Sequence, residues 1–497
     1  MVNNSQVKKV VIAGGGTAGW MAAAALAKLL GKNLDITLVE SDDISTVGVG
    51  EATIPPLLTF HKLLVIKEQD FMVATQATFK LGIEFENWRN EQDDYIHSFG
   101  SVGRDCWACG FQHFWRKGQG LGISADYGKY CLELEAARAN KFAHLKQPAV
   151  RYAYHLNATL YAKFLRSFSE KLGVKRVEGK IEKVTNHQQS GMIESLVLAS
   201  GQQIYGDLFI DCTGFRGLLI EQNLHAGYED WSHWLPCDSA VAVQTKATSE
   251  PIPYTRSIAH KAGWQWRIPL QNRVGNGIVY ASQFLSDDEA CDTLLANLSG
   301  ATITEPRQLR FKTGRRKKAW HKNCIAIGLS SGFLEPLEST SIHLVTTAIL
   351  RLMKLFPFGG NTSMQAQQFN RETQLELETV RDFIILHYHQ TQRKDNPFWD
   401  HYRTMEVPDS LAHRMAMFRE NAYAWPDDVG LFRVDSWVQV MMGQGLMPKQ
   451  HHGAGRVLPV DGLKQQMLTL RNMVDNSVSQ MPEHADFIQG YCPAKDL

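Results

Sequence analysis

Apolar positions run unbroken from Val10 to Ala13 behind two lysines, so Lys8 to Ala13 reads as a short buried strand. Gly14 to Gly16 form a turn. Thr17 to Leu30 is rich in Ala and Leu and predicts a helix, with Gly31 as its C-cap. Asp35 to Glu40 is a second strand, which completes a β-α-β unit. Residues 78–88 partly alternate apolar and polar side chains, as a half-buried strand does. Val174 to Val184, Met192 to Ala199 and Gln203 to Asp211 suggest a β-meander, and 240–285 further strands. The pattern turns helical from Ser341 to Lys354 and from Met364 to Gln392. Residues 100–150 are rich in aromatics and glycine without a clean period, and read as a covering segment. The tail carries Pro397, Pro408, Pro426, Pro448, Pro459, Pro482 and Pro493, which predicts short helices joined by turns. No internal repeat or low-complexity tract interrupts this order. The expected architecture is a large α/β body over 1–395, with 100–150 part of a cover, and a smaller, mainly helical region over 396–497.

Composition narrows the function classes. The 497 residues hold 52 Lys+Arg and 51 Asp+Glu, a net charge of +1, which supplies no basic face for nucleic acid and no attraction to an anionic membrane. With 44% hydrophobic and 10% aromatic residues, the chain is expected to fold rather than stay disordered. The apolar stretch from Val10 to Leu30 fails as a membrane span, because Gly14, Gly15, Gly16, Gly19 and Lys28 interrupt it. No other candidate span is seen, and the expected location is the cytoplasm. The eight cysteines are expected to be reduced thiols. Cys106 and Cys109 have C-x-x-C spacing, but no second pair or His pair stands at zinc-site distance; no metal is expected, and the pair reads as structural or incidental rather than as a redox site.

Candidate chemistry starts at Gly14-x-Gly16-x-x-Gly19, which lies between the first strand and the first helix. The glycines allow a tight turn and close approach to a pyrophosphate, and the helix N-terminus offers free N–H groups. Glu40, about 20 residues further on, is placed to accept hydrogen bonds from a ribose. FAD and NAD both suit this motif. Asp207 to Gly214 and Cys324 to Gly328 are further strand-end turns, which favour the long body of FAD. No second glycine motif appears, so NADH-driven reduction is assigned to a separate flavin reductase.

The sequence resembles the flavin-dependent tryptophan halogenase family. The match runs through Gly14-Gly15-Gly16-Thr17-Ala18-Gly19-Trp20, Gly48-Val49-Gly50-Glu51-Ala52-Thr53-Ile54-Pro55 and Phe79-Lys80-Leu81-Gly82. It continues in Gly263-Trp264-Gln265-Trp266-Arg267-Ile268-Pro269 and Gly332-Phe333-Leu334-Glu335-Pro336-Leu337-Glu338-Ser339-Thr340. The resemblance implies a flavin-monooxygenase-like FAD-binding body, with FAD used in reduced form. Gly14, Gly16, Thr17, Ala18, Gly19, Glu40, Gly50, Ala52, Gly328 and Pro336 would hold the flavin. Oxygen and halide, chloride or bromide, would yield hypohalous acid, which passes through a tunnel to Lys80, with Glu338 as its acidic partner. An amine can hold an electrophilic halogen, and a carboxylate can take the ring proton. His97, Phe99 and Ser339 would meet the aromatic substrate.

Trp264 and Trp266 are two residues apart and share one face of a strand; the resemblance makes them a wall beside the flavin. The halide would sit on the backbone amides of Thr340 and Ser341. Glycine commonly follows the threonine in the family; Ser341 adds a side chain there and opens the choice between bromide and chloride. The amino-acid clamp of the tryptophan-specific members finds no match in Ser436 to Met442, so the expected substrate is indole, a substituted indole or another electron-rich aromatic. Members are often homodimers. Two alternatives stand beside the halogenase: a flavin-dependent aromatic hydroxylase and a non-catalytic flavin-binding protein.

Overall fold

The computed structural model describes residues 6–44, 51–106, 109–359, 362–427 and 430–494. They form two compact units, each assembled from three stretches of chain. The first comprises 1–77, 156–238 and 310–378; the second comprises 78–155, 239–309 and 379–497. The division is interleaved. Its last junction falls at residues 378 and 379, inside the helix Ser363–His389, rather than at residue 395.

The first unit is built on a six-stranded sheet. Its order is Trp320–His321, Cys324–Ala326, Leu208–Asp211, Lys9–Ala13, Asp35–Glu40, Lys175–Glu178. All neighbours are parallel except the first pair. Lys9–Ala13 is a central strand of this parallel sheet, and its successive apolar side chains, which alternate between the two faces, are all buried. The helix Thr17–Leu29 packs against helices Ala158–Lys171 and Ser341–Lys354. Its alanine run from Ala22 to Ala25 is fully buried, and small side chains permit that close approach. Leu30, not Gly31, caps this helix in an ordinary right-handed conformation, and Gly31 opens a short 3-10 turn.

The meander expected over 174–211 is confined to its middle. Ile181–Asn186, Ile193–Leu198 and Gln203–Tyr205 form a separate antiparallel sheet. Lys175–Glu178 and Leu208–Asp211 instead join the parallel sheet, because each finds a partner distant in sequence.

In the second unit, Ser239–Lys246, Arg273–Tyr280, Gly263–Pro269, Tyr254–His260, Gly82–Glu86 and Asp94–Ser98 lie side by side. All pairings are antiparallel except that of Tyr254–His260 with Gly82–Glu86. The single strand expected over 78–88 is two strands in different sheets. Thr78–Lys80 pairs with Ala153, Tyr154 and His155, and the chain breaks at Leu81. A side chain at Gly82 would come within 2.6 Å of the His97 carbonyl oxygen, so the crossing into the larger sheet requires glycine.

The 100–150 segment lies in the second unit and carries helices Phe111–Gly120 and Leu132–Arg138. Both span three turns or fewer, too short for a period to stand out among the surrounding loops. Cys106 and Cys109 exchange backbone hydrogen bonds of 3.0 and 3.1 Å, and both thiols are free. The tail forms Pro397–Thr404, Asp409–Asn421, Val434–Gly443, Val460–Ser479 and His484–Tyr491. Pro397 occupies a helix's first turn, and Pro408 and Pro459 directly precede helices. Among the described residues, no helix is long and apolar enough to cross a membrane, and no group of three or more His, Cys, Asp or Glu could hold a metal ion.

Candidate active site

The glycine turn shows why each glycine is needed. Gly14 has φ +105°, and a side chain there would collide with the Cys212 carbonyl. A side chain on Gly19 would collide with the Gly14 carbonyl. Gly16 precedes the helix without a side-chain cap, and no acidic residue occupies the first turn. The helix therefore presents free N–H groups and its positive dipole end. Residues 14 to 18 are partly exposed, while the helix is buried from Gly19 to Ala27.

Gly15, which the motif leaves variable, lies so close to Glu40 that any side chain would strike its carboxylate. The other Glu40 oxygen accepts from Arg176 Nε at 2.6 Å, with Arg166 at 3.7 Å. This arrangement, an uncapped helix start beside a fixed carboxylate, fits a dinucleotide. Gly328 has φ +77°, and a side chain there would meet Ala18 at 3.0 Å. Ala52 is buried; Gly50 lies outside the described residues.

A second anion-friendly turn follows. Pro336–Glu338 is a 3-10 turn, and Ser339 takes the left-handed conformation with φ 58°. A non-glycine residue there is held by its surroundings at an energetic cost. Glu338, Ser339 and Thr340 are buried. Helix Ser341–Lys354 then begins with Thr340 at its N-cap position, but the threonine side chain makes no capping bond. Its hydroxyl oxygen is buried without a hydrogen-bond partner, and no acidic residue lies in the first turn. Ser341 is half-buried.

In the second unit, Lys80 is fully buried, and its Nζ lies 5.3 Å from the centre of the Phe99 ring. Phe99 is held to the same strand end through its N–H, which donates to the Leu81 carbonyl at 2.9 Å. Thr78, on the same face as Lys80, donates to the Pro269 carbonyl at 2.8 Å. Its oxygen therefore accepts from His155 Nδ1 at 2.9 Å, which leaves Nε2 to accept from Thr255 at 2.9 Å. Burial, and then the nearby Lys80 charge, hold the His155 pKa well below the usual value, so its ring is neutral.

His97 is buried on strand Asp94–Ser98, opposite Ile83, with its ring 5.5 Å from Phe383. Ser98 fixes the helix Val434–Gly443: its N–H and hydroxyl both donate to Gln439 Oε1, at 3.1 and 2.9 Å. Trp437 on that helix is buried edge-on to Phe383 at 4.7 Å, with the Arg414 guanidinium 4.1 Å from its ring centre. Trp264 and Trp266 share one face of Gly263–Pro269, with ring centres 6.1 Å apart. Trp264 packs on Trp88, and the Trp266 ring lies over Gly277, where any side chain would displace it.

Comparison with known proteins joins these pieces. The family profile described as Tryptophan halogenase matches residues 9–459. The chain belongs to the tryptophan halogenase family. Among solved structures, Xcc4156, a flavin-dependent halogenase from Xanthomonas campestris, is 54% identical and aligns over 99% of this chain and 100% of its own, with TM-score 0.98. BrvH, a flavin-dependent halogenase from Brevundimonas sp. BAL3, is 43% identical over 98% of this chain and 100% of its own, with TM-score 0.94. Tryptophan 7-halogenase RebH of Lentzea aerocolonigenes is 39% identical over 440 residues, 84% of this chain and 82% of that protein.

The protein is therefore a flavin-dependent halogenase, and the hydroxylase and non-catalytic readings give way. Three groups of this halogenase escaped the sequence. Asp211 ends a parallel strand and accepts four hydrogen bonds: from Thr213 N and Oγ1 and from the N–H groups of Leu219 and Ile220. Its only sequence signal is an acid at the end of an apolar strand. His155 and His484 stand far from the motifs, and nothing in the sequence singled them out.

Proposed function

We propose that this halogenase combines reduced FAD, oxygen and halide to form hypohalous acid, and delivers the halogen through Lys80 to an indole-like or other electron-rich aromatic. The observation that carries the reading is Lys80 itself, a fully buried amine beside the Phe99 ring and a neutral imidazole. A lysine is rarely buried in this way without a task. The amine donates to the hypohalous oxygen. As the ring carbon takes the halogen, hydroxide leaves as water with that proton. The ring then loses its own proton, a role we assign to Glu338.

Bound reduced FAD supplies the electrons that let oxygen oxidise halide. In this reading Gly14, Gly16, Thr17, Ala18 and Gly19 cradle its phosphates, Glu40 its ribose, and Ala52, Gly328 and Pro336 its body. The Thr340 and Ser341 amides hold halide, supported by the uncapped helix start behind them. Trp264 and Trp266 keep organic molecules from the flavin; Ser339, His97 and Phe99 contact substrate. In Val434–Gly443 the side chains from Trp437 to Met441 are buried and Gln439 is bonded to Ser98, which supports a substrate without an amino-acid group to clamp.

The test is a halide-by-substrate panel with an added flavin reductase. Lys80→Ala is expected to lower halogenation of indole by about 10²–10⁴-fold while flavin binding, read by fluorescence, stays unchanged. Bromination of indole at the wild-type rate by this variant would overturn the assignment.

A further inference from the structure

The strand Thr78–Lys80 has one edge paired with Ala153, Tyr154 and His155. Its other edge faces Pro251-Ile252-Pro253. Prolines have no N–H and cannot complete a ladder. Leu81 N–H reaches the Pro253 carbonyl at 2.7 Å, but the Phe79 N–H goes elsewhere. It donates to His484 Nε2 at 3.2 Å, and His484 Nδ1 reaches the Pro251 carbonyl at 2.7 Å. The imidazole thus fills the place of a missing rung, from a position 405 residues away in sequence.

These two partners fix the protonation of the ring. A carbonyl only accepts, so Nδ1 carries the hydrogen; a backbone N–H only donates, so Nε2 is bare. Only the neutral tautomer satisfies both. Burial supports this by pushing the His484 pKa down to about 4. The helix His484–Tyr491 brings the ring there. Phe487 packs on the Phe79 ring at 5.5 Å, and the His484 N–H donates to the Asn140 carbonyl at 2.8 Å.

We infer that His484 is a positioning residue for halogenation: through Phe79 it holds the strand that places the Lys80 amine. The inference rests on the reading that Lys80 carries the halogen. Backbone placement decides where a buried lysine's amine sits, and small misplacements in a site cost rate steeply. The two ring hydrogen bonds of His484 go to Phe79 and Pro251 and to none of His97, Phe99 and Ser339, so the loss falls mainly on kcat.

The experiment compares His484→Ala, His484→Gln, Phe487→Leu and Lys80→Ala in full-length enzyme, with indole, bromide, FAD and an added NADH-dependent flavin reductase. His484→Ala is expected to lower kcat tenfold or more, with KM for indole within twofold, and to lower halogenated product per oxygen consumed. His484→Gln, whose amide can donate to Pro251 and accept from Phe79, is expected to recover most of the loss. Phe487→Leu, which loosens the same helix but keeps the imidazole, is expected to lower Tm and leave kcat near wild type. Wild-type kcat in His484→Ala, no recovery by Gln, or a kcat that follows Tm across the variants would overturn the inference. Should His484→Ala not fold, Asn replaces it: Asn is too short to span both partners, and equal kcat for Gln and Asn would overturn the inference. Wild-type halogenation by Lys80→Ala would instead sink the Lys80 reading, whereas its loss beside a wild-type His484→Ala would sink only the clamp.

Discussion

Buried ionisable side chains in the second unit are controlled one residue at a time. Glu133 is 4% exposed; one oxygen accepts from the Arg151 N–H at 2.9 Å, and the other lies 3.8 Å from the Cys131 thiol. Burial raises its pKa from 4.5 to about 7. A raised carboxyl pKa means that the folded state keeps its proton where the unfolded chain has lost it. Stability from this group is therefore full below about pH 4.5 and falls as pH rises towards 7. Glu133→Gln keeps the acceptor without the charge, and is expected to raise stability at pH 8 by up to about 3 kcal/mol with little change at pH 4. Urea unfolding at the two pH values checks this, and an equal effect at both would contradict it. Single residues were legible in the sequence where a backbone turn demands them, as at Gly14 and Gly19. His155 and His484 were not, because their partners lie far away in sequence; Asp211 was not, because its partners, though local, depend on the turn that follows its strand.

Elements were legible where their period is local. Helix Ser341–Lys354 has the bounds its sequence suggests, while 78–88 breaks in two because Gly82 must pass close to the His97 carbonyl. The helix start carries a prediction about halide choice. Its N–H groups are uncapped and the Thr340 hydroxyl is buried without a partner, so an anion there must lose most of its water. Chloride is held more tightly by water than bromide, and the Ser341 side chain reduces the space in which water could remain. Ser341→Gly is expected to lower the ratio of brominated to chlorinated indole several-fold when both halides compete at equal concentration. The cost in stability should stay below about 1 kcal/mol, the scale of glycine in a helix. An unchanged product ratio by mass spectrometry would remove Ser341 from halide selection.

For the molecule as a whole, we propose that a second protein supplies the reduced flavin. The interleaved division into two units was hidden in the sequence, since the chain leaves and re-enters each unit and no composition shift marks those junctions. A dinucleotide cradle needs a parallel strand, a glycine turn and a helix N-terminus in succession. Among the described residues that succession with its Gly14–Gly19 motif occurs once, in the parallel sheet of the first unit. The large sheet of the second unit is mainly antiparallel; Tyr254–His260 and Gly263–Pro269, for example, are joined by a hairpin. Such a connection brings no helix N-terminus to a phosphate. With that cradle assigned to FAD, the described residues offer no second cradle of this kind for NADH. NADH added alone to the FAD-loaded protein is expected to leave the oxidised flavin absorbance unchanged under anaerobic conditions. Adding a catalytic amount of an NADH-dependent flavin reductase with free FAD should bleach that absorbance and start halogenation once oxygen and halide are present. Rapid bleaching by NADH alone would show a nicotinamide site outside this cradle and remove the need for a partner.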